Sequence, residues 1–301
     1  MPGYISSECY PSFCDHSYFS DERPAGDMGF RGGSAVFCKV EETWRLFERL
    51  RLTRRVIVLV TGQSDLPCDE GRQRFLPPQV AHWFSTNVTH PHPRVTAVPL
   101  GIGPSHDPIT AGAAALAAAF RPQPERTKWL YVNFRPETNP AVRQPVFDAF
   151  RTRSGESWVT FREPVPSGQA GQFLEEMGRH RFVLCPPGNG VDTHRMWEAM
   201  ATGAIPVVLR SSAMEPFYNL PALFVDDLCR IGPDLLEAAW GRISAGWKFP
   251  GELNASHWGK LIAGARSKVA RCPALPVKTF AVASLKYAAG MVSRRLSPRS
   301  V

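Results

Sequence analysis

One stretch of this chain, residues 181–209, constrains the fold more than any other, because strand, loop and helix signals follow one another there without a gap. The apolar run 182–185 ends in the loop PPGNG, which predicts a buried strand that stops in a tight turn. An apolar stripe at spacings of three and four then predicts a helix that ends at Gly203. The apolar run Ile205–Leu209 follows, so the whole stretch predicts one βαβ unit with two parallel strands.

The loop of this unit has the features of an anion-binding site. A glycine loop between a strand and a helix exposes backbone N–H groups beside the positive end of the helix dipole, and phosphate is the natural ligand there. Either Asp192 or Thr193 can cap the first turn of the helix. The loop residues that would line a bound anion are Pro187, Gly188, Asn189 and Gly190.

Three charged residues of the predicted helix share roughly one face near the loop. Asp192, Arg195 and Glu198 follow at successive spacings of three. A guanidinium beside a phosphate site and a carboxylate one turn further on can bind a pyrophosphate and a ribose diol together. The same two residues can also form a plain ion pair on a solvated helix face. Taken alone, the residues leave both interpretations open.

Charge and cysteine usage limit the classes of ligand. A net charge of +8 favours acidic partners, but the basic residues are mostly scattered arginines without a dense run, so phosphate-bearing small molecules are favoured over nucleic acid. The seven cysteines show no paired C-x-x-C spacing, which argues against a zinc site or a disulfide framework. No apolar run is long enough to span a membrane and no signal peptide is visible, so the chain is expected to be cytoplasmic.

The 301 residues are enough for two α/β domains with separate cores. The run VIVLV at 56–60 predicts the first buried strand, and the proline-rich segment RPQPER predicts a linker before KWLYVNF opens a second set of strands. The predicted boundaries are a first domain over 1–122 with an irregular arm over 1–34, a second domain over 123–275, and a C-terminal helix with a basic tail over 276–301 that could pack back on the first domain.

Further polar residues follow predicted strands elsewhere. Asp65 comes just after the strand VIVLV, at the edge where open α/β sheets bind ligands, although a turn or cap role is an open alternative. His90 and His92 alternate with prolines in a loop that has no nearby Cys or acidic ligand, so no metal site is expected there. Either histidine could act as a general base. A second strand-to-helix junction gathers Asn133, Arg135, Asn139 and Arg143.

With these motifs in view, the chain resembles the exostosin-like glycosyltransferases, a GT-B-type family related to glycosyltransferase family 47. The strongest match is FVLCPPGNGVDTHRMWEAMATGAIPVVL, continued by PFYNLPALFVDD. Weaker matches are LVTGQSD, the stretch from WFSTNV to HPRVTAVPLGI, and YVNFRPETNPAVR, so the resemblance covers residues 56–227. No D-x-D motif of the other main glycosyltransferase architecture occurs.

The resemblance implies an α/β fold of GT-B type, with two Rossmann-like domains facing across a cleft. The first domain would serve the acceptor, and the second would bind a UDP- or GDP-sugar. On the family pattern the loop residues Gly188, Asn189 and Gly190 would line the diphosphate, Arg195 would neutralise it, and Glu198 would bind the ribose hydroxyls. The junction residues 133–143 would form a second contact set.

The activity implied by the resemblance is transfer of a sugar to a hydroxyl of a glycan or glycoprotein acceptor, with inversion. Because the loop N–H groups, the helix dipole and Arg195 would stabilise the leaving diphosphate, no metal or cofactor is expected. The general base would come from the first domain, with Asp65 as the first candidate and His90 or His92 behind it. Two alternatives stay open: a non-catalytic nucleotide-sugar-binding module of the same fold, and a basic nucleic-acid-binding protein.

Overall fold

The computed structural model describes residues 3–18, 29, 31–104, 112–164 and 170–283. Within these residues the chain forms two five-stranded sheets in which every strand pair is parallel. The predicted α/β fold of GT-B type, with two Rossmann-like domains, is confirmed.

The first sheet is built from the first hundred residues, and its strands lie side by side in chain order. Its central strand carries the run IVLVTG and is buried along its whole length, as a strand covered on both faces must be. The strands are β1 His16–Tyr18, β2 Ala35–Lys39, β3 Ile57–Gly62, β4 Val80–Ser85 and β5 Val95–Ala97, with helices α1 Cys9–Ser12, α2 Thr43–Leu50 and α3 Glu70–Gln73.

The second sheet contains a reversal of strand order. Its strands are β6 Lys128–Val132, β7 Val159–Phe161, β8 His180–Cys185, β9 Ile205–Leu209 and β10 Leu223–Val225. The spatial order is β7, β6, β8, β9, β10, so the chain leaves β6 on one side and returns to its other side as β8. The helices are α4 Gly112–Ala119, α5 Pro140–Thr152, α6 Ala170–Arg179, α7 His194–Ala201, α8 Pro233–Ser244 and α9 Ala255–Ala270.

Helices cover both faces of the second sheet. Phe147 and Phe150 of α5 belong to one apolar cluster, together with Leu236 of α8. Met196 and Trp197 of α7 belong to the cluster on the other face. The helices that follow β6 and β8 therefore lie on opposite faces, which opens a crevice between the carboxyl ends of these two strands.

Two helices pack across the predicted domain boundaries at residues 122 and 275. Leu116 of α4 lies in the apolar cluster of α6 and α7, although α4 precedes the boundary at 122. Trp258 and Ile262 of α9 pack in a cluster with Val58 of the first sheet, although α9 precedes the boundary at 275. These boundaries follow the two sheets, whereas α4 and α9 each join the packing of the other half.

The two ends of the chain are described only in part. The arm over 1–34 contains α1 and β1, which differs from the irregular conformation expected; the segment HSY of β1 is too polar to show a strand pattern, yet its Tyr18 is fully buried. Most of the C-terminal helix and basic tail predicted over 276–301 lies outside the described residues. No helix in the described ranges has the length and apolar content needed to cross a bilayer.

Candidate active site

The glycine loop lies at the crevice where the strand order of the second sheet reverses. β8 ends at Cys185, and the loop 186–193 leads directly into α7. Across the crevice β6 ends at Val132 and is followed by the junction that precedes α5. In open α/β sheets this position is the usual place for a bound ligand. The βαβ unit predicted from the sequence is thus present at the position that the anion-site interpretation requires.

The two glycines of the loop are in close contact with side chains from outside it. A Cβ atom at Gly188 would lie 2.9 Å from Nη2 of Arg143, and one at Gly190 would lie 3.0 Å from Nδ2 of Asn87. The N–H of Gly188 donates to the carbonyl of Gly190 at 3.0 Å, which closes the turn. The backbone N–H groups of the next three residues, 189–191, donate no hydrogen bond to any described residue. These groups are available to an anion.

Arg143 and Asn139, expected as donor contacts, both donate hydrogen bonds to carbonyls of the glycine loop. Nε of Arg143 donates to the carbonyl of Pro187 at 2.9 Å, and its Nη2 donates to the carbonyl of Pro186 at 2.9 Å. Its Nη1 donates to the carbonyl of Arg135 at 3.1 Å, and Nδ2 of Asn139 donates to the carbonyl of Gly188 at 3.0 Å. Burial, with Arg195 nearby, lowers the pKa of Arg143 to about 10, so the side chain stays cationic at neutral pH. Both side chains therefore satisfy carbonyl groups of the glycine loop and fix its conformation.

We expect Arg143→Lys to lower the stability of the protein although it keeps the positive charge. A lysine ammonium sits on a single flexible stem and cannot reach all three carbonyls that the guanidinium fork engages. A buried acceptor without a partner costs about 1–3 kcal/mol, so urea denaturation should show a loss of about 2–3 kcal/mol. Arg151→Lys, at an exposed position of the same helix, is the matched control. Equal stability of the two variants would contradict the positioning role of Arg143.

Arg195 lies in the first turn of α7, near Cys185 at the end of β8 and Tyr131 of β6. Its guanidinium carbon lies 4.8 Å from the ring centroid of Phe173 in α6. Its Nη1 atom is buried and has no hydrogen-bond partner in the part of the chain that the structure describes. Burial lowers the pKa of Arg195, and the groups near enough to affect it include Cys185, Glu198 and Tyr131. A buried cation with an unused donor is a binding group for an anion.

The other charged residues of α7 and its capping segment contact the first domain. The backbone N–H of Leu100 donates to Oδ2 of Asp192 at 2.6 Å, and that of Gly103 donates to Oε1 of Glu198 at 3.2 Å. Nε1 of Trp197 donates to Oδ1 of Asp192 at 2.7 Å. Thr193 is the N-cap residue of α7, without a side-chain capping bond. Asp192 thus fixes the position of α7 against the segment that follows β5.

We expect the stability difference between the parent chain and Asp192→Asn to depend on pH. Burial raises the pKa of Asp192 to about 6, above the value of about 3.9 in an unfolded chain. The folded state therefore binds this proton more tightly, and the contribution of Asp192 to stability falls as pH rises from about 4 to about 6, by up to ~3 kcal/mol. The neutral asparagine lacks this dependence. Urea denaturation of both proteins across this range should show the parent losing stability relative to the variant as pH rises; a constant difference would contradict the raised pKa.

Asp65, the first candidate for the base, lies on the edge of the first sheet that faces the glycine loop. It is exposed in the loop after β3. Its neighbour Ser64 accepts a hydrogen bond at its carbonyl from Nδ2 of Asn87 at 3.3 Å. Oδ1 of the same Asn87 accepts from the backbone N–H of Asp192 at 2.9 Å. The buried Asn87, which has a left-handed φ of 50°, therefore joins the Asp65 loop to the glycine loop. The sequence offered no specific signal for this role.

The two histidines lie in the loop that joins β4 to β5. His90 is exposed beside Thr89, whose carbonyl accepts a hydrogen bond from Oγ of Ser212 in the second domain at 2.8 Å. Nδ1 of His92 accepts from the backbone N–H of Arg94 at 3.1 Å, just before β5 begins. None of the contacts that His92 makes with described residues reaches the second domain. No group of three or more possible metal-ligating side chains occurs among the described residues.

The remaining junction residues differ in exposure. Nδ2 of the buried Asn133 donates to the carbonyl of Glu163 at 2.7 Å, which ties the end of β6 to the segment after β7. Arg135 is half-exposed just past β6, and its guanidinium makes no hydrogen bond or ion pair within the described ranges. Of the four junction residues expected to contact a donor, Arg135 alone keeps its side chain unengaged by the residues that the structure describes.

Comparisons with known proteins give one family and several distant structures. The model of the Exostosin GT47 domain matches residues 58–227. No curated protein sequence matches the chain. The chain is similar to the UDP-forming α,α-trehalose-phosphate synthase from Burkholderia vietnamiensis, with 12% identity over 79% of this chain and 72% of that one and a TM-score of 0.45. It is also similar to AviGT4, a glycosyltransferase involved in avilamycin A biosynthesis, with 16% identity over 78% of this chain and 84% of that one and a TM-score of 0.38.

Proposed function

The chain belongs to the Exostosin GT47 domain family and is a glycosyltransferase, and on that premise we propose a reaction and a site for it. The family inferred from the motifs is thereby confirmed. The reaction that we propose moves a sugar from a UDP- or GDP-sugar to a hydroxyl of a glycan or glycoprotein acceptor. It proceeds with inversion and without a metal ion.

The observation that carries this proposal is the unused donor of Arg195. Its Nη1 atom is buried at the crevice between β6 and β8 and has no partner among the described residues. A diphosphate in this crevice would pair with that cation and accept hydrogen bonds from the backbone N–H groups of residues 189–191. The dipole of α7 would add about 0.3–2 kcal/mol to the binding of an anion at its N-terminus. These features support the second domain as the half that binds the donor.

The proposed chemistry is a single displacement. The acceptor oxygen forms a bond to the anomeric carbon, while the bond from that carbon to the diphosphate oxygen breaks. The acceptor proton passes to the carboxylate of Asp65, and the charge that develops on the leaving diphosphate is stabilised by Arg195 and the loop N–H groups. Attack from the face opposite the leaving group inverts the anomeric carbon. Stabilisation of the leaving group by arginine supports a reaction that requires no metal.

We expect Glu198→Gln to weaken donor binding more than it slows turnover. A carboxylate can accept hydrogen bonds from two ribose hydroxyls, and a hydrogen bond to a charged group contributes about 1.5–3 kcal/mol. The amide loses the charge and one acceptor, so calorimetric titration should show affinity for the nucleotide falling by at least about tenfold. Glu237→Gln, at an exposed position of α8, is the control. Unchanged affinity would count against the ribose role.

The reaction is tested by incubating the full chain with UDP- and GDP-sugars, in the presence and absence of a chelator. The proposal predicts release of UDP or GDP that a chelator does not reduce, and a product whose anomeric configuration, measured by NMR, is inverted. Retention of configuration would contradict the inverting mechanism. Loss of activity in the presence of the chelator would contradict the metal-independent mechanism. Nucleotide binding without release from any donor would instead indicate the non-catalytic binding module.

A further inference from the structure

The net positive charge of this chain comes entirely from its C-terminal end, because the basic residues before residue 253 are balanced by acidic ones. The whole sequence has 35 basic and 27 acidic residues, of which 26 basic and all 27 acidic residues precede residue 253. Residues 253–301 contain no aspartate or glutamate, so they account for the entire positive excess. The basic residues of this segment are Lys260, Arg266, Lys268, Arg271, Lys278, Lys286, Arg294, Arg295 and Arg299. The last four lie outside the described residues and enter only as charge.

The helix that carries the first of these residues has one buried and one exposed face. Trp258 and Ile262 of α9 pack on the first sheet, together with Val269. Lys260 of α9 and Arg271, the residue that follows the helix, are exposed. Arg266 pairs with Asp15 at 2.6 Å, whereas Lys260, Lys268 and Arg271 have no acidic partner in the described part of the chain.

The chain after α9 joins the amino-terminal edge of the first sheet. The backbone N–H of Val56, just before β3, donates to the carbonyl of Pro273 at 2.8 Å. The backbone N–H of Leu275 donates to the carbonyl of Arg54 at 2.7 Å, and Nε of Arg54 donates back to the carbonyl of Leu275 at 2.7 Å. Residues 51–55 and 271–278 therefore form one continuous surface, which we call the amino-edge surface.

The amino-edge surface combines cations with exposed apolar side chains. Leu52 is 82% exposed and Val277 is 64% exposed, which makes them the two most exposed large apolar side chains among the described residues. Neither segment of the surface contains an acidic residue; its cations are Arg51, Arg54, Arg55, Arg271 and Lys278. Apolar side chains exposed among lysines and arginines are typical of surfaces that lie on a lipid bilayer.

We propose that the amino-edge surface, together with the exposed face of α9, docks the protein on a bilayer that contains anionic phospholipids. Leu52 and Val277 enter the boundary between headgroups and acyl chains, and the surrounding cations are attracted to the lipid phosphates. A nucleic acid matches the charge equally well but provides no apolar phase for Leu52 and Val277. The lipid surface is therefore the partner that accounts for both properties.

The position of the surface leaves the cleft accessible. β3 runs from Ile57 at the amino edge to Gly62 at the edge that faces the glycine loop. Six strand residues at about 3.3 Å each separate the two edges by about 20 Å. A protein docked through the amino edge thus keeps its cleft away from the bilayer plane, and donor exchange with the solution is unobstructed.

The test measures binding of the full chain to vesicles by co-sedimentation. The parent chain should bind vesicles of equal parts phosphatidylcholine and phosphatidylglycerol, and should not bind vesicles of phosphatidylcholine alone. The double variant Arg271→Glu with Lys278→Glu should bind the mixed vesicles at least about 30-fold more weakly, since each cation near an anionic surface contributes about 1 kcal/mol. Leu52→Ser with Val277→Ser should also reduce binding to the mixed vesicles.

A charge-matched control separates the effect of this surface on vesicle binding from the effect of the net charge of the protein. Arg242→Glu with Lys248→Glu makes the same change in net charge at exposed positions of the second domain, and should leave vesicle binding unchanged. Equal losses in the two charge variants would overturn the assignment of this surface. Duplex DNA is the second probe: if the serine variant binds vesicles like the parent while the Arg271 and Lys278 variant loses both vesicles and DNA, the surface is a general polyanion site and the lipid proposal is wrong.

Discussion

Replacing Arg195 by alanine is expected to lower kcat/KM for sugar transfer by about 10²–10³, the effect of removing one preorganised donor from a developing anion. The guanidinium packs on the ring of Phe173 and keeps an unused donor at Nη1, which can pair with the charge that develops on the leaving diphosphate. A loss of this size corresponds to about 3–4 kcal/mol of transition-state stabilisation. The measurement is the initial rate of nucleotide release at low donor concentration.

Arg151→Ala is the matched control for this variant. Arg151 also stacks on a phenylalanine, with its guanidinium carbon 5.2 Å from the ring centroid of Phe147, but it lies exposed on α5. The control therefore removes one positive charge and one cation–π contact without touching the crevice, and should keep the parent rate. A folded Arg195→Ala variant that also keeps the parent rate would show that the diphosphate binds elsewhere.

Replacing Asp65 by asparagine is expected to lower the rate of transfer by about 10²–10⁴, the range that a positioned general base supplies. The carboxylate lies on the first domain, opposite the glycine loop, and contributes nothing to the crevice that would hold the donor. Affinity for UDP or GDP should therefore stay at the parent value. Transfer rates and nucleotide affinity are measured on the same preparation.

Two further variants complete this test, one as a control and one to identify the base if Asp65 does not act as the base. Asp234→Asn, at an exposed position of α8, controls for the loss of a surface carboxylate and should be silent. His90→Gln tests the other candidate on the cleft side. An Asp65→Asn variant with the parent rate, combined with an inactive His90→Gln variant, would transfer the role of base to His90. A parallel loss of nucleotide affinity in Asp65→Asn would contradict the division of roles between the domains.

The fold and the position of the glycine loop at the end of β8 were predictable because their signals are local. The apolar run of β8, the glycine loop and the apolar stripe of α7 occupy consecutive positions, and each follows from backbone preference and burial within a few residues. Position after a strand of a parallel sheet was then enough to place Asp65 and the loop at ligand-binding edges.

The direction of individual side chains was not predictable in this way. Arg143 and Pro187 are 44 positions apart in the chain, and Leu100 and Asp192 are 92 apart. Spacing along a helix shows that a residue lies near the crevice. The hydrogen-bond partner of its side chain depends on which carbonyl or N–H group from a distant part of the chain packs against it. The hydrogen bonds that Arg143 and Asp192 make within the protein were therefore not visible in the sequence, and their contact with a donor stays a prediction.

The central claim is that the crevice between β6 and β8 binds the diphosphate of a nucleotide sugar through Arg195. Calorimetric titration of UDP and of GDP into the parent chain and into Arg195→Ala tests it most directly, because it needs no acceptor. The account predicts that at least one nucleotide binds the parent and that its affinity falls by at least about tenfold in the variant. Binding of neither nucleotide, or equal affinity for the two proteins, would contradict it.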